Sequence, residues 1–177
     1  PKKVNSVSWL VDSPLEPIAG TASVVEGTIQ FDPEAPEATR GKIVIPTSSL
    51  KAPMEGMTGH LLSSRWLDAE KYPTIEFSIT SVDVRSFSAT PLTGPETPTF
   101  NGFKEFTLDV TGEFSLHGVT KKLTVPVRAS YMPEGLTQKM GRRLKGDLVR
   151  IRVDFSIERA DFNITGGVPT TIVGPTV

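Results

Sequence analysis

Cysteine is absent from the sequence. That excludes thiolate nucleophiles, Cys-based metal sites and disulfides together, and it fits any compartment. Histidine is scarce, with only His60 and His117. Neither lies in a His-Glu-x-x-His motif or beside a carboxylate at ligand spacing, so no metal site and no catalytic residue is assigned. Ser63 and Ser64, next to Arg65, lack the Gly-x-Ser-x-Gly elbow that exposes a nucleophile and read as helix surface. There is no excess of one charge, since 19 Lys plus Arg stand against 20 Asp plus Glu. Without a global positive field, nucleic acid is not an expected partner. No apolar run approaches the roughly 20 residues needed to cross a bilayer as a helix. Pro1-Lys2-Lys3-Val4 carries neither an initiator Met nor a signal-like apolar core, and reads as a processed or engineered start.

What is present fits one globular domain spanning 1–177, with 37% hydrophobic and 22% charged residues. A chain of this size removes roughly 70% of its unfolded surface from water. Period-two alternation recurs along most of it, the mark of strands with one dry and one wet face. Strands are predicted over 6–12 (Val7, Trp9, Val11), 21–32 (Val25, Gly27, Ile29, Phe31) and 42–46 (Ile43, Ile45). Others are predicted over 74–85 (Ile75, Phe77, Ile79), 105–116 (Leu108, Val110, Phe114, Leu116), 121–131 (Leu123, Val125, Val127, Ala129) and 147–157 (Val149, Ile151, Val153, Phe155, Ile157).

One short helix is predicted near 57–69, pairing Met57 with Leu61 and Leu62 with Trp66, and ending before Tyr72-Pro73. The stretch 86–104, with Pro91, Pro95 and Pro98, reads as a long loop, while its Phe87, Phe100 and Phe103 call for apolar surface at one end of the fold. Lys139, Arg142, Arg143 and Lys145 read as a basic hairpin tip. About seven strands with one buried face must form a sandwich or close on themselves. Periodicity fits either, and the apolar face fits either a packed core or a hollow one.

Three blocks carry a resemblance. The first is His60-Leu61-Leu62-Ser63-Ser64-Arg65-Trp66-Leu67-Asp68-Ala69 followed by Tyr72-Pro73-Thr74-Ile75-Glu76-Phe77. The second runs from Gly112 through Phe114 to His117-Gly118-Val119-Thr120-Lys121, and the third is Arg159-Ala160-Asp161-Phe162-Asn163-Ile164. Together with Gly27 to Asp32 they are similar, in order and along nearly the whole chain, to the YceI-like family. The family's Gly after Asp-Phe is Asn163 here, and Asn is the side chain that best accepts a left-handed backbone. The connection before Phe106 is longer than the family's hairpin, and Gly174-Pro175-Thr176-Val177 stops where the family continues into a closing strand.

The resemblance implies an all-β, lipocalin-like antiparallel barrel of about eight strands with the helix near 57–69. It also implies a hollow interior that sequesters or transports a long isoprenoid, a polyisoprenoid quinone or prenyl lipid, with no cofactor beyond that ligand. The ligand-facing set expected on this basis is Val25, Ile29, Phe31, Leu62, Trp66, Phe77, Ile79, Leu108, Val110, Phe114, Val125, Val149, Ile151, Val153 and Phe155. A periplasmic or secreted bacterial location, peripheral contact with a membrane and homodimerisation accompany this expectation. The competing readings are a small-substrate enzyme at the barrel mouth using His60 or His117, a carrier of fatty acids or fatty amides, and an interaction module built on 86–104. Arg159 and Asp161 are read as a salt bridge or carbonyl clamp at the barrel end.

Overall fold

A computed structural model describes residues 5–11, 17–89, 92–94, 97–100, 102–139, 145–166 and 176–177. Its elements are the strands β1 (Val7–Val11), β2 (Ile18–Ala22), β3 (Glu26–Gln30), β4 (Arg40–Pro46) and β5 (Leu50–Lys51), the helix α1 (Glu55–Leu62), and β6 (Thr74–Ala89). After these come β7 (Leu92–Gly94), β8 (Thr97–Phe100), β9 (Lys104–Leu116), β10 (Val119–Met132), the helix α2 (Glu134–Lys139) and β11 (Leu148–Val153). Every pairing is antiparallel. Six strands form the main sheet in the order β11-β10-β9-β6-β4-β3, β1-β2-β5 form a smaller one, and β7-β8 form a hairpin. The main sheet curls into a half-barrel.

The curl has a visible cause on the inner face. Pairing across four neighbouring strand pairs sets Ile29 opposite Gly41, Gly41 opposite Ile79, Ile79 opposite Gly112, and Gly112 opposite Leu123. A large side chain thus alternates with none along one row, so the strands can bend inward without crowding. A Cβ on Gly112 would lie 2.5 Å from the Ser78 carbonyl oxygen and 2.6 Å from the Phe77 ring.

Several predicted elements change at their ends. The run 21–32 is divided between β2 and β3, because the chain passes there from the small sheet to the large one. Gly27, at φ 131°, supplies a conformation few other residues adopt. In β6 the alternation is re-phased twice, with register shifts between Ile79 and Ser81 and between Val84 and Ser86. At the first shift Thr80 donates its hydroxyl to the Thr111 carbonyl at 3.1 Å, satisfying an oxygen where the ladder is interrupted. The inner face therefore runs Ile75, Phe77, Ile79, then Val82 and Val84, then Phe87.

The 86–104 loop is largely strand. Residues Ser86 to Ala89 extend β6, Lys104 opens β9, and β7 pairs with β8 between them. Phe87 lies against Phe106, centroids 5.2 Å apart, so the aromatic pairing favours continued ladder over a loop. Pro91 and Pro95 lie outside the described residues. The strand predicted over 147–157 pairs only as far as Val153, opposite Val127. The next residue of β10 is Pro126, which has no N–H to give to a ladder. The helix predicted near 57–69 ends at Leu62. Ser63 caps it, donating both its N–H and its hydroxyl to the His60 carbonyl, and Trp66 then sits in a turn rather than one helical turn beyond Leu62. The chain enters the predicted basic tip through the helix α2, which ends at Lys139; Arg142 and Arg143 lie outside the described residues.

Candidate functional site

The inner faces of both sheets enclose an apolar cavity of about 2380 Å³. That is more than twice the roughly 1,000 Å³ at the upper end of ordinary small-ligand pockets. Two buried clusters form its walls. One unites Val82, Phe106, Leu108, Val110, Val125, Val127 and Ala129 in the middle of the main sheet. The other unites Ala22, Leu50, Leu67, Phe114, Leu116, Phe162 and Ile164, with α1 packed against it through Leu61 and Leu62.

Of the residues expected to face a ligand, Leu108, Val110, Phe114 and Val125 are buried in the cavity wall. Val25, Ile29, Phe31, Trp66, Phe77, Ile79 and Val149 line it half-buried. Ile151, Val153 and Phe155 line it while remaining 39%, 38% and 45% exposed, so their apolar surface faces open space. Leu62 is the exception: it borders a separate hollow with Ser48, Gly59, Ser63, Ala69 and Glu70. Its side chain packs against the buried cluster of the wall without reaching the cavity. Lining residues that the expected set omits include Val7, Trp9, Val11, Ile43, Ile45, Leu50, Ile75 and Leu116, most of which carry the same period-two signal. Leu10, Arg150 and Arg152 also border the cavity, and alternation could not have revealed them, since they lie on opposite parity along unpaired strand edges.

One end of the cavity is closed by the three sequence blocks that carried the resemblance, which the fold brings together. His117 and Gly118, with φ of 51° and 75°, form the two-residue turn between β9 and β10, as a tight hairpin of that twist requires. The His117 Nδ1 lies 2.9 Å from the Phe162 carbonyl oxygen, and its ring meets Tyr72 edge-on at 4.7 Å. Tyr72 is held in turn by Thr47, whose hydroxyl donates to the Tyr72 carbonyl at 2.7 Å. Phe162 is 1% exposed and packs edge-on against Phe114 at 5.5 Å. Asn163 takes the left-handed conformation, φ 58°, after the short 3-10 turn Arg159–Phe162.

Arg159 and Asp161 both serve this closure, through different partners. Arg159, 4% exposed, lies 5.2 Å from the Trp66 ring and donates to the Ile164 carbonyl at 3.4 Å. Burial lowers its pKa from the ordinary guanidinium value. Asp161 pairs with Lys121 at 2.7 Å. The final residues return to this end, where Ile157 and Val177 exchange backbone hydrogen bonds of 2.8 and 2.9 Å.

The histidines therefore sit apart in role. His117 is committed to a backbone carbonyl and an aromatic ring at the closed end, and His60 is exposed in the last turn of α1. No cluster of three or more His, Asp or Glu able to hold a metal occurs among the described residues.

Comparison with known proteins agrees with this architecture. The family model described as a YceI-like domain matches residues 3–177. A UPF0312 protein from Pseudomonas savastanoi pv. phaseolicola is 31% identical over 154 residues, 87% of this chain and 67% of that protein. Protein YceI of Salmonella newport is 30% identical over 160 residues, 90% of this chain and 66% of the relative. The chain thus spans about two thirds of the length of these curated relatives. Among solved structures, Burkholderia cenocepacia BcnA superposes with a TM-score of 0.63 at 17% identity, covering 97% of this chain and 89% of that one. A polyisoprenoid binding domain from Saccharophagus degradans, implicated in plant cell wall breakdown, superposes at 0.57 with 13% identity, covering 97% and 87%. At these identities the structural likeness shows the fold alone.

Proposed function

The chain belongs to the YceI-like family, and from that premise we propose that its cavity binds and carries a long-chain isoprenoid lipid, a polyisoprenoid quinone or prenyl lipid, rather than serving as an enzyme active site. The observation that carries this reading is the exposed apolar surface of Ile151, Val153 and Phe155 inside a cavity of about 2380 Å³. Apolar side chains left open on a concave wall are stabilised by an apolar occupant, which removes both surfaces from water. Each buried methylene of a ligand contributes about 0.8 kcal/mol, so about ten give roughly 8 kcal/mol before association costs of about 4 kcal/mol or more. A long chain offsets that cost through apolar burial alone.

The likeness to the polyisoprenoid binding domain from Saccharophagus degradans supports the ligand class. A fatty-acid or fatty-amide occupant satisfies the same apolar wall, and the two are separated by chemistry of the bound molecule. A periplasmic or secreted location belongs to the proposal through family resemblance. Organic extraction of the purified protein followed by mass spectrometry tests it. Recovery of an isoprenoid supports the reading, a fatty acyl species replaces the ligand class, and an extract without stoichiometric lipid from protein expressed in a lipid-replete host refutes it.

A further inference from the structure

The cavity is open along one side. β11 is the end strand of the main sheet and β1 the outer strand of the small one, and no ladder joins them among the described residues. Consecutive residues of both strands, not alternate ones, border the cavity. Both strands thus reach the cavity while keeping one edge without a ladder, and the opening between these two edges is a seam.

The outer face beside this seam is basic. Arg128 on β10 stands directly opposite Arg152 on β11, and Arg150 lies two residues along the same face. All three are exposed. Like charges directly opposite one another destabilise a sheet, so this pair is costly unless an anion lies across it. Four other cations of the main sheet are matched: Arg85 pairs with Asp109, Lys42 with Glu76, Lys104 with Glu34 and Lys121 with Asp161, while Lys122 stands opposite Glu113 and Arg40 donates to backbone carbonyls. Among the described residues no ion pair involves Arg128, Arg150 or Arg152. Two acids lie nearby on that face, Asp154 two residues beyond Arg152 and Glu105 on β9 across Ser130 from Arg150, which leaves the cations in excess. On the other face of the same strand, Ile151 and Val153 are exposed toward the cavity, and across the seam Leu10 of β1 is also exposed.

We propose that the β11 edge docks the protein on an anionic lipid surface, with Arg128, Arg150 and Arg152 against headgroup phosphates and the seam turned toward the bilayer. Guanidinium forks suit phosphate oxygens, and an edge with cations outside and apolar side chains inside matches the layering of a membrane interface. An apolar chain then passes between bilayer and cavity without crossing water. The passenger rests on the lipid-binding reading above, whereas the docking does not, and the two are measured separately.

The test is flotation of the full chain with phosphatidylcholine vesicles, alone and doped with about one third phosphatidylglycerol, at low and high salt. The expected result is binding to the doped vesicles only, weakened by salt. The triple variant R128Q/R150Q/R152Q should lower the partition coefficient on the order of a hundredfold, at roughly fivefold per arginine. R128K/R150K/R152K, which keeps the charge, should retain most of it and controls for folding. Equal binding by the wild type to neutral and doped vesicles, binding undiminished in the glutamine variant, or a salt-independent dimer in place of vesicle binding overturns the proposal. Lipid retained in the purified glutamine variant, read by extraction, distinguishes failed docking from a failed cavity.

Discussion

The imidazole Nδ1 of His117 and the carbonyl oxygen of Phe162, 45 residues apart in the chain, lie 2.9 Å from one another. A carbonyl only accepts, so this nitrogen carries the proton, and the contact ties the β9–β10 turn to the 3-10 turn that plugs the cavity. The His-Gly and Asp-Phe motifs are thus two halves of one closure. Histidine here works as a donor on a left-handed turn, a structural duty.

Replacing His117 with Ala removes the hydrogen bond, the contact with Tyr72 and a side chain suited to polar turns. The expected cost is about 1–2 kcal/mol in chemical denaturation. Asn, which accepts positive φ, should recover part of it. Extracted lipid should stay within a few-fold of wild type in both variants and in His60→Gln. A tenfold loss of lipid with unchanged stability would move His117 into the ligand site.

Gly112 and Gly59 should respond oppositely to alanine. A Cβ at Gly112 meets Ser78 and Phe77 at 2.5 and 2.6 Å, so Gly112→Ala should destabilise by about 1–3 kcal/mol and flatten the sheet. Gly59 lies within α1 with nothing within 4 Å of its added Cβ, so Gly59→Ala should stabilise by about 0.5–1 kcal/mol. Thermal melts of the pair give the signs, and equal shifts would remove the inner glycine row as the source of the curl.

Tryptophan separates wall from open cavity. Val110 is buried between Val82 and Val125, so Val110→Trp should overpack the sheet at a cost of about 1–3 kcal/mol. Ile151 faces free space, so Ile151→Trp should keep wild-type stability within about 1 kcal/mol and displace bound lipid. Lipid content in Ile151→Trp equal to that of wild type, in a protein of unchanged stability, argues against the cavity as the lipid site.

Tyr131 provides a pH marker for the connection between β10 and β11. Its hydroxyl donates to Asp147 at 2.6 Å, and this bond, with burial and the carboxylate charge, raises the phenol pKa to about 12. The same bond, joined by the Glu134 N–H, lowers the pKa of Asp147. The raised phenol contributes stability that is full below its unfolded value of 10.0 and is lost as pH rises through about 12. The depressed carboxylate contributes stability present above its unfolded value of 3.8 and lost as pH falls through the lower folded value. In a Tyr72→Phe background one tyrosine remains, and ultraviolet titration should show its midpoint fall from about 12 toward 10.0 on Asp147→Asn. An unmoved midpoint would dissociate the two residues.

Much of the architecture was written in the period of the sequence. Alternating Leu108-Val110 and Val125-Val127 can bury one side only as strands, and His117-Gly118 between two such runs specifies a tight hairpin whatever surrounds it. Those signals are local, since they depend on how successive side chains project from one strand. The inner face of β6 beyond Ile79 was not local: two bulges shift it to Val82 and then Phe87, and a bulge is set by the partner strand. The helix expected to reach Ala69 stops at Leu62 because Ser63 finds the His60 carbonyl and Trp66 finds Arg159 and Gly166, contacts that spacing cannot list. The seam, too, belongs to tertiary structure. Alternation shows which side chains share a face, but only the meeting of two sheets decides which strands remain edges, and with them which residues on both faces reach the cavity.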